Sequence, residues 1–404
     1  ANQFFVNIFS KTKIKYIVLG TALIIVLAAL FWPSSVQLNQ LRQQTQGAQT
    51  EINPESTPLQ IFRRIRVSQL ISQEVYNSQQ GLQITQHLKI QIMEGPEQGQ
   101  EHDADYTGFS TSNKQPNLFA VGDRGVAARV TAGEEIFWEV VDHERTRPTL
   151  IIVGIFVIAA LILGRWRGLT ALLGLGFTIT VVVYYLVPHI LLGVNPLLVA
   201  MIGGIAIAAI SMFLAHGFKA RTVLAIISTC LALGLAVLAS ALAVKYTLLS
   251  GQTSSETVHL RSLLPGGINM QGLLLAGMII SVLGLLDDAT IGQVVAIEQL
   301  YKANPQLTRK ELYSRGLVIG REHIASLVNT LMLVYAGTAL PLLLLFSVVT
   351  SQPMWVLFNS EYVSEELVRS AVGSTILILA IPLSTALACW YYKQEQEKDT
   401  KSVI

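Results

Sequence analysis

Charge is what this chain has least of. Only 13% of its 404 residues are Asp, Glu, Lys or Arg, about half of the roughly 25% that ordinary soluble domains carry. Hydrophobic residues make up 51% and arrive in long blocks, and the mean hydropathy is +0.51. A soluble enzyme and a disordered protein are excluded on those grounds. The net charge of +2 supplies no basic field for a phosphate backbone, so no nucleic-acid partner is expected. Cysteine is scarce too. Cys230 and Cys389 both sit in apolar runs, which gives neither a disulfide framework nor a cysteine metal cluster. Enzyme signatures are missing: no His-Glu-x-x-His, no Walker A loop and no Gly-x-Ser-x-Gly occurs. Ser281 and His323 have no evident third partner. No catalytic residue, metal or cofactor is therefore expected.

What is present is a set of membrane spans. A crossing helix needs roughly 20 apolar residues, and eight runs qualify: 16–32, 149–164, 168–187, 194–215, 222–249, 270–300, 323–350 and 370–392. The class is an α-helical polytopic membrane protein. Its seven-helix part covers 148–392, and residues 1–33 hold the N-terminus and a first helix, read as an uncleaved signal anchor. Gly164-Arg165-Trp166-Arg167-Gly168 leaves room only for a tight hairpin between the second and third spans. Lys and Arg fix the orientation. With the N-terminus inside, short inner segments hold 15 basic residues, including Lys11, Arg165, Lys219, Arg309 and the tail 393–404. Short outer loops hold two, Arg261 and Arg369. Both termini are expected in the cytoplasm and residues 34–147 outside.

The outer region has its own pattern. Residues 34–59 are a polar linker rich in Gln, Asn and Ser. Residues 60–147 alternate apolar and polar side chains, as in Leu82-Gln83-Ile84-Thr85-Gln86 and Phe62-Arg63-Arg64-Ile65-Arg66-Val67. Gly95 and Gly99 break the strand that runs through 82–92, Gly122-Asp123 is a turn between strands at 118–121 and 126–130, and His102-Asp103-Ala104-Asp105 reads as an exposed polar loop. Six short strands in this stretch predict a small β-barrel, OB-like in type. Its aromatics lack a basic stripe, and His87, His102 and His143 lack metal-ligand spacing. The domain reads as a cap or a contact module for an envelope partner.

Ionisable and polar groups at membrane depth are costly and mark function. The sixth span carries Gly284-Leu285-Leu286-Asp287-Asp288-Ala289-Thr290-Ile291-Gly292-Gln293, then Glu298. If the helix leaves the hydrocarbon near Glu298, Asp288 lies about 15 Å in. Glycines beside the Asp pair favour a local unwinding of the kind that forms ion sites in discontinuous helices. The other reading ends the membrane near Leu286, with Asp287 and Asp288 interfacial and capping a second helical segment. The seventh span opens with Arg321-Glu322-His323. Glu322, Ser326 and Asn329 follow at i, i+4, i+7 as one polar stripe, with Thr330 beside it. Asn329 is either a partner for Asp288 or packing glue. His216 ends the fourth span. Gly316 and Gly320, four apart, favour close helix packing.

Several of these residues, together with others, resemble the YibE/F-like family of bacterial membrane proteins. The resemblance is carried by Gly193-Val194-Asn195-Pro196, His216-Gly217-Phe218 with Thr222, and Gly284-Leu285-Leu286 with Asp288-Ala289. Gly320-Arg321-Glu322-His323-Ile324, Asn329-Thr330-Leu331, Ala336-Gly337 and Leu340-Pro341 extend it, as do Val121-Gly122-Asp123 and Val141-Asp142-His143-Glu144-Arg145. It covers roughly residues 60–350. It implies a multi-pass protein of the bacterial inner membrane with an extracytoplasmic β-domain, and it brings no substrate. The family pattern matches Asp288 and has an apolar residue at the place of Asp287.

Two functions follow as expectations. One is a secondary transporter or permease for a small solute or ion. Asp288 is then the ion- or proton-linked carboxylate, Asn329, Glu322, Thr330, Asp287 and Glu298 its polar surroundings, and His216, His323 and Arg321 accessory groups. The other is a non-transporting scaffold or sensor whose β-domain binds an envelope ligand. The lipid bilayer is the certain partner, and a homo-oligomer is compatible with either.

Overall fold

The computed structural model describes residues 61–78, 81–110, 117–132, 135–263, 267–348 and 353–402. The first span, its signal-anchor reading and the linker lie outside the described residues. The chain divides into two compact units between Ile162 and Leu163.

The β-unit is a closed barrel. Strands β1 (Ile61–Ser78), β2 (Gly81–Ile92), β3 (Glu101–Ser110), β4 (Arg124–Ala132) and β5 (Glu135–His143) close in the order β1-β2-β3-β5-β4. β3 and β5 are parallel, pairing Ala104 with Trp138, and every other pair is antiparallel. The alternation read in the sequence is the packing pattern. Ile84, Gln86, Leu88, Ile90 and Ile92 all point inward from β2. There they meet Ile65, Val67, Phe119, Ala127, Trp138 and Val140.

The barrel has five strands, where the sequence suggests six: 118–121 does not pair, and 102–105, expected as an exposed loop, lies in β3 with Ala104 buried. Phe119 is held from the side instead. The buried Gln86 amide accepts from Phe119 N at 2.8 Å and donates to Phe119 O at 3.2 Å. A side chain thus replaces the ladder bonds that this buried backbone needs. Gly122, at φ 96°, makes the turn that follows. At the end of β5 the Arg145 guanidinium beside Asp142 holds that exposed carboxyl below the usual range.

The second unit is helical. Six described helices are long and apolar enough to cross a membrane. That is two fewer than the sequence reading. One of the eight runs is not described, and the runs at 149–164 and 168–187 fall within a single stretch, Thr146–Leu191. This stretch comprises α1 (Thr146–Val181), a π-helical turn (Val182–Leu186) and α2 (Val187–Leu191). The helix is interrupted at Arg165, whose φ of 51° leaves the helical region, inside the linker that the sequence marks. Without that break its 46 residues would measure about 69 Å, more than twice the hydrocarbon thickness.

The remaining helices are α3 (Pro196–His216), α4 (Ala220–Thr247), α5 (Ser255–Leu263), α6 (Met270–Ala303), α7 (Arg309–Thr338), α8 (Leu340–Val348), α9 (Met354–Phe358) and α10 (Glu361–Ser402). Their starts follow capping chemistry. Asn195 caps α3 ahead of Pro196, Asn269 caps α6, and Thr308 with Glu311 forms a capping box on α7. α6 is the axis of the unit and packs against α3, α4, α7 and α10. It runs unbroken through Gly284, Asp287, Asp288 and Gly292, so the expected unwinding and the Asp-capped second segment are both corrected. Residues between Gly284 and Gly292 keep their intrahelical bonds because the four neighbouring helices bury that length of α6 on most sides.

Candidate functional site

The two aspartates of α6 point different ways. Successive residues of a helix are about 100° apart, so one faces the bundle and its neighbour does not. Asp287 faces in. Its Oδ2 accepts from Ser211 Oγ of α3 at 3.3 Å. Its Oδ1 is buried and accepts no hydrogen bond from the described residues. Gly174 of α1 comes close to Ser211, and the Cys230 thiol of α4 lies within reach of the Asp287 charge. Asp288 is on the outward side and exposed.

From Asp287 a buried polar track follows α6 toward Ala303. One turn on, Thr290 Oγ1 meets Thr229 Oγ1 of α4 at 2.8 Å, both fully buried. Next comes Gln293, also fully buried, whose amide donates to Gly316 O of α7 at 2.9 Å and to Thr385 Oγ1 of α10 at 2.8 Å. Gln293 Oε1 accepts from none of the described residues, and Thr222 Oγ1 is likewise buried without a partner. Gly316 and Gly320 make this node possible. A Cβ at Gly320 would lie 2.4 Å from Ile381 Cγ2 and 3.2 Å from Gln293 Oε1, which is the physical content of the close packing expected from their spacing. The track ends at Glu298, which bridges Arg221 of α4 at 3.2 Å and Lys302 at 2.6 Å.

At the opposite end of the unit a second charged group ties α10 to the loop after α4. Arg369 pairs with Glu365 at 2.6 Å, Thr253 Oγ1 donates to Glu365 at 2.6 Å, and Ser250 N and Gly251 N donate to Glu361. A cavity of about 320 Å³ opens here, lined among others by Thr257, Tyr362, Glu366 and Arg369.

The α7 residues singled out by sequence do not join the Asp287 group. Arg321, Glu322, His323, Asn329 and Thr330 are all exposed. Thr330 donates back to Ser326 O at 2.9 Å. The His323 ring approaches Gly292, 3.5 Å from where a Cβ would be. No hydrogen bond links Asn329 to Asp288 among the described residues. His216 is exposed at the end of α3, within electrostatic reach of Arg221 and Asp288. Sequence reasoning gave no role to Gln293, Thr229 or Thr385, nor to the Glu361, Glu365, Arg369 row. The row had a legible signal, charges at i, i+4 and i+8. Gln293 had only its position, one amide between Gly292 and Val294. Among the described residues no group of three or more His, Cys, Asp or Glu could hold a metal ion.

The family model described as YibE/F-like protein matches residues 152–394, more than half of the chain. The chain belongs to the YibE/F-like family. That match contains every residue of the Asp287 track, drawn from α3, α4, α6, α7 and α10, and both charged groups, so the site lies wholly inside the YibE/F-like region. The β-barrel precedes it. No curated protein and no solved structure matches the chain.

Proposed function

We propose that this YibE/F-like membrane protein is a secondary transporter or permease for a small solute or ion. The Asp287–Asp288 pair is its ion- or proton-linked carboxylate site, and Asp287 is the member that works inside the bundle. The observation that carries the reading is the Asp287 carboxyl, with one oxygen on Ser211 and the other buried and unpartnered. A carboxyl so placed inside an apolar helix bundle takes up a proton or a cation at that oxygen and releases it when water gains access. Glu298 with Arg221 lies at the far end of the track from Asp287 and acts as its closure on that side. In this reading the topology has eight spans in the bacterial inner membrane. Both termini are cytoplasmic, and the barrel, whose strand order supports an OB-like assignment, lies outside.

Proteoliposomes containing trapped pyranine test it. Panels of small ions and solutes are added and proton-linked flux is read. Asp287→Asn should abolish flux while the protein still folds and inserts, and Asp288→Asn should reduce it. Flux at the wild-type rate in both variants refutes the assignment. If Asp287→Leu and Asp287→Asn only destabilise the protein, the carboxyl is a packing group.

The scaffold or sensor reading draws on the barrel. Phe62, Ile71, Val75, Tyr76, Phe137 and Val141 are each about half exposed on it, more apolar surface than a purely solvated cap needs. Deleting residues 60–145 separates the two: a scaffold loses all function, and a transporter keeps substrate binding in its core.

A further inference from the structure

The cavity beside Arg369 is separate from the Asp287 site. Gly277 of α6 lines it, and Gly277 and Asp287 stand about 15 Å apart along that helix. The loop after α4, the start of α5, the first turns of α6 and the first turns of α10 enclose about 320 Å³. Tyr362, Glu365, Glu366 and Arg369 reach it together because their spacing puts them on one face of α10. Among the described residues, the charged side chains that line it are Glu365, Glu366 and Arg369, which are 14%, 25% and 26% exposed. Two carboxylates against one guanidinium leave the cavity with a surplus negative charge.

The surplus falls on Glu366. Glu365 is engaged twice, by Arg369 Nη2 and by Thr253 Oγ1, each at 2.6 Å. Glu366 has Arg369 Nε at 3.8 Å, an ion pair beyond hydrogen-bond distance, and that buried Nε donates to none of the described residues. The hydroxyls on the wall are spent as donors. Thr253 donates to Glu365, and Thr257 donates to Ser254 O at 2.8 Å, so what they offer the cavity is oxygen lone pairs. A negative wall rich in acceptors calls for a positive group that carries donors alone, and an ammonium is that group. An anion would meet the Glu366 carboxylate, and a neutral solute would leave it unpaired. Size excludes a bare metal ion. The volume is about ten times the roughly 30 Å³ share of one water, too wide for the close oxygen shell that a cation needs, and it falls at the small end of organic-ligand pockets. Leu273, Leu274 and the Tyr362 ring supply an apolar side. We propose that this cavity binds a primary ammonium group on a short apolar body, with Glu366 as its counter-ion. The site uses no part of the Asp287 track and is independent of the transport reading.

Isothermal titration of the full chain in nanodiscs with n-butylammonium chloride tests it, with empty nanodiscs as the blank. In phosphatidylcholine the wild type should show saturable one-site binding, and n-butanol and sodium butyrate should show none. Glu366→Gln keeps the shape and removes the charge. It should weaken binding about 10- to 150-fold, the range of one hydrogen bond to a charged group. A Cβ at Gly277 meets nothing within 4 Å, so Gly277→Leu should fold, intrude on the cavity and remove binding. Adding phosphatidylethanolamine to the nanodiscs identifies the source of the ammonium. Weaker n-butylammonium binding assigns the cavity to that lipid headgroup, and unchanged binding assigns it to a free amine. The absence of saturable binding to the wild type in phosphatidylcholine overturns the proposal. So does n-butanol binding equal to that of n-butylammonium, or wild-type affinity in Glu366→Gln or Gly277→Leu. Should Glu366→Gln not fold, Gly277→Leu and the n-butanol comparison decide.

Discussion

A methyl group added at Gly320 tests the three-helix node directly. In Gly320→Ala the new Cβ would stand 2.4 Å from Ile381 Cγ2, well inside contact distance, and 3.2 Å from the Gln293 amide. Cγ2 of a β-branched residue on a helix has little freedom to turn away, so α7 must move off α10. Overpacking of this kind costs about 1–3 kcal/mol. Separation also stretches the bond from Gln293 to Gly316 O, for which an intramembrane hydrogen bond contributes about 0.6–2 kcal/mol. Alanine's better helix propensity returns about 0.5–1 kcal/mol. The net is a loss of about 2 kcal/mol, or a melting shift of about 4–8 °C for a unit of this size. Gly284→Ala is the internal control: a Cβ there meets nothing within 4 Å, and the change should be neutral or slightly stabilising. Gly316→Ala should fall between them, because its nearest atom is the terminal Cδ1 of Ile297, which can swing aside. The assay is thermal unfolding of the full chain in one detergent, read by intrinsic fluorescence. Equal melting of Gly320→Ala and wild type, or an equal loss in Gly284→Ala, refutes the packing account.

Other changes probe the barrel and the charged ends. Gln86→Leu strips both buried backbone groups of Phe119 of their partner and should destabilise the barrel by about 2–4 kcal/mol, seen as early loss of the buried Trp138 signal. Arg221→Ala leaves Glu298 with the largely exposed Lys302 and should cost about 1.5–3 kcal/mol. The double variant with Glu298→Gln should cost less than the two singles together. Asp142 has a depressed folded pKa because of Arg145. Its contribution is therefore present above the ordinary value of 3.8 and is lost as pH falls through the lower folded value. In Arg145→Ala the Asp142 titration midpoint, followed by carboxyl carbon shifts, should move upward, and an unmoved midpoint removes the pair from the account.

Much of this architecture is legible in the chain. Long apolar runs announce helices, and period-two alternation in 82–92 announces a strand whose inward residues are the core residues of the barrel. Caps at Asn195, Asn269 and Thr308 set helix starts by local chemistry, and the linker around Arg165 marks a break. Span ends were less legible. Hydropathy starts the seventh run at residue 323, past Arg315, Arg321 and Glu322, yet α7 begins at Arg309. Helix formation depends on caps and backbone bonds, and hydropathy marks only the part suited to lipid. The sixth strand failed for the opposite reason: 118–121 has strand-like residues, but the Gln86 side chain already satisfies Phe119.

The direction of a polar side chain was the harder problem, and α6 shows why. Amphipathic helices reveal their buried face by periodicity. α6 has neighbours on most sides, so apolar residues surround it and no stripe distinguishes Asp287 from Asp288. Only the partners do: Asp287 meets Ser211 of α3, Thr290 meets Thr229 of α4, and Gln293 meets Gly316 of α7 and Thr385 of α10. Among the buried atoms without a partner, Asp287 Oδ1, Gln293 Oε1 and Thr222 Oγ1 lie in this half of the bundle, and Arg369 Nε and Ser374 Oγ lie in the other. Each such atom costs stability in an apolar interior, and apolar side chains of similar size would fit the same helix positions. Polar groups gathered at one level of the bundle are what the proposed proton- or ion-linked role of Asp287 uses. A bundle held together by packing alone has no need of them.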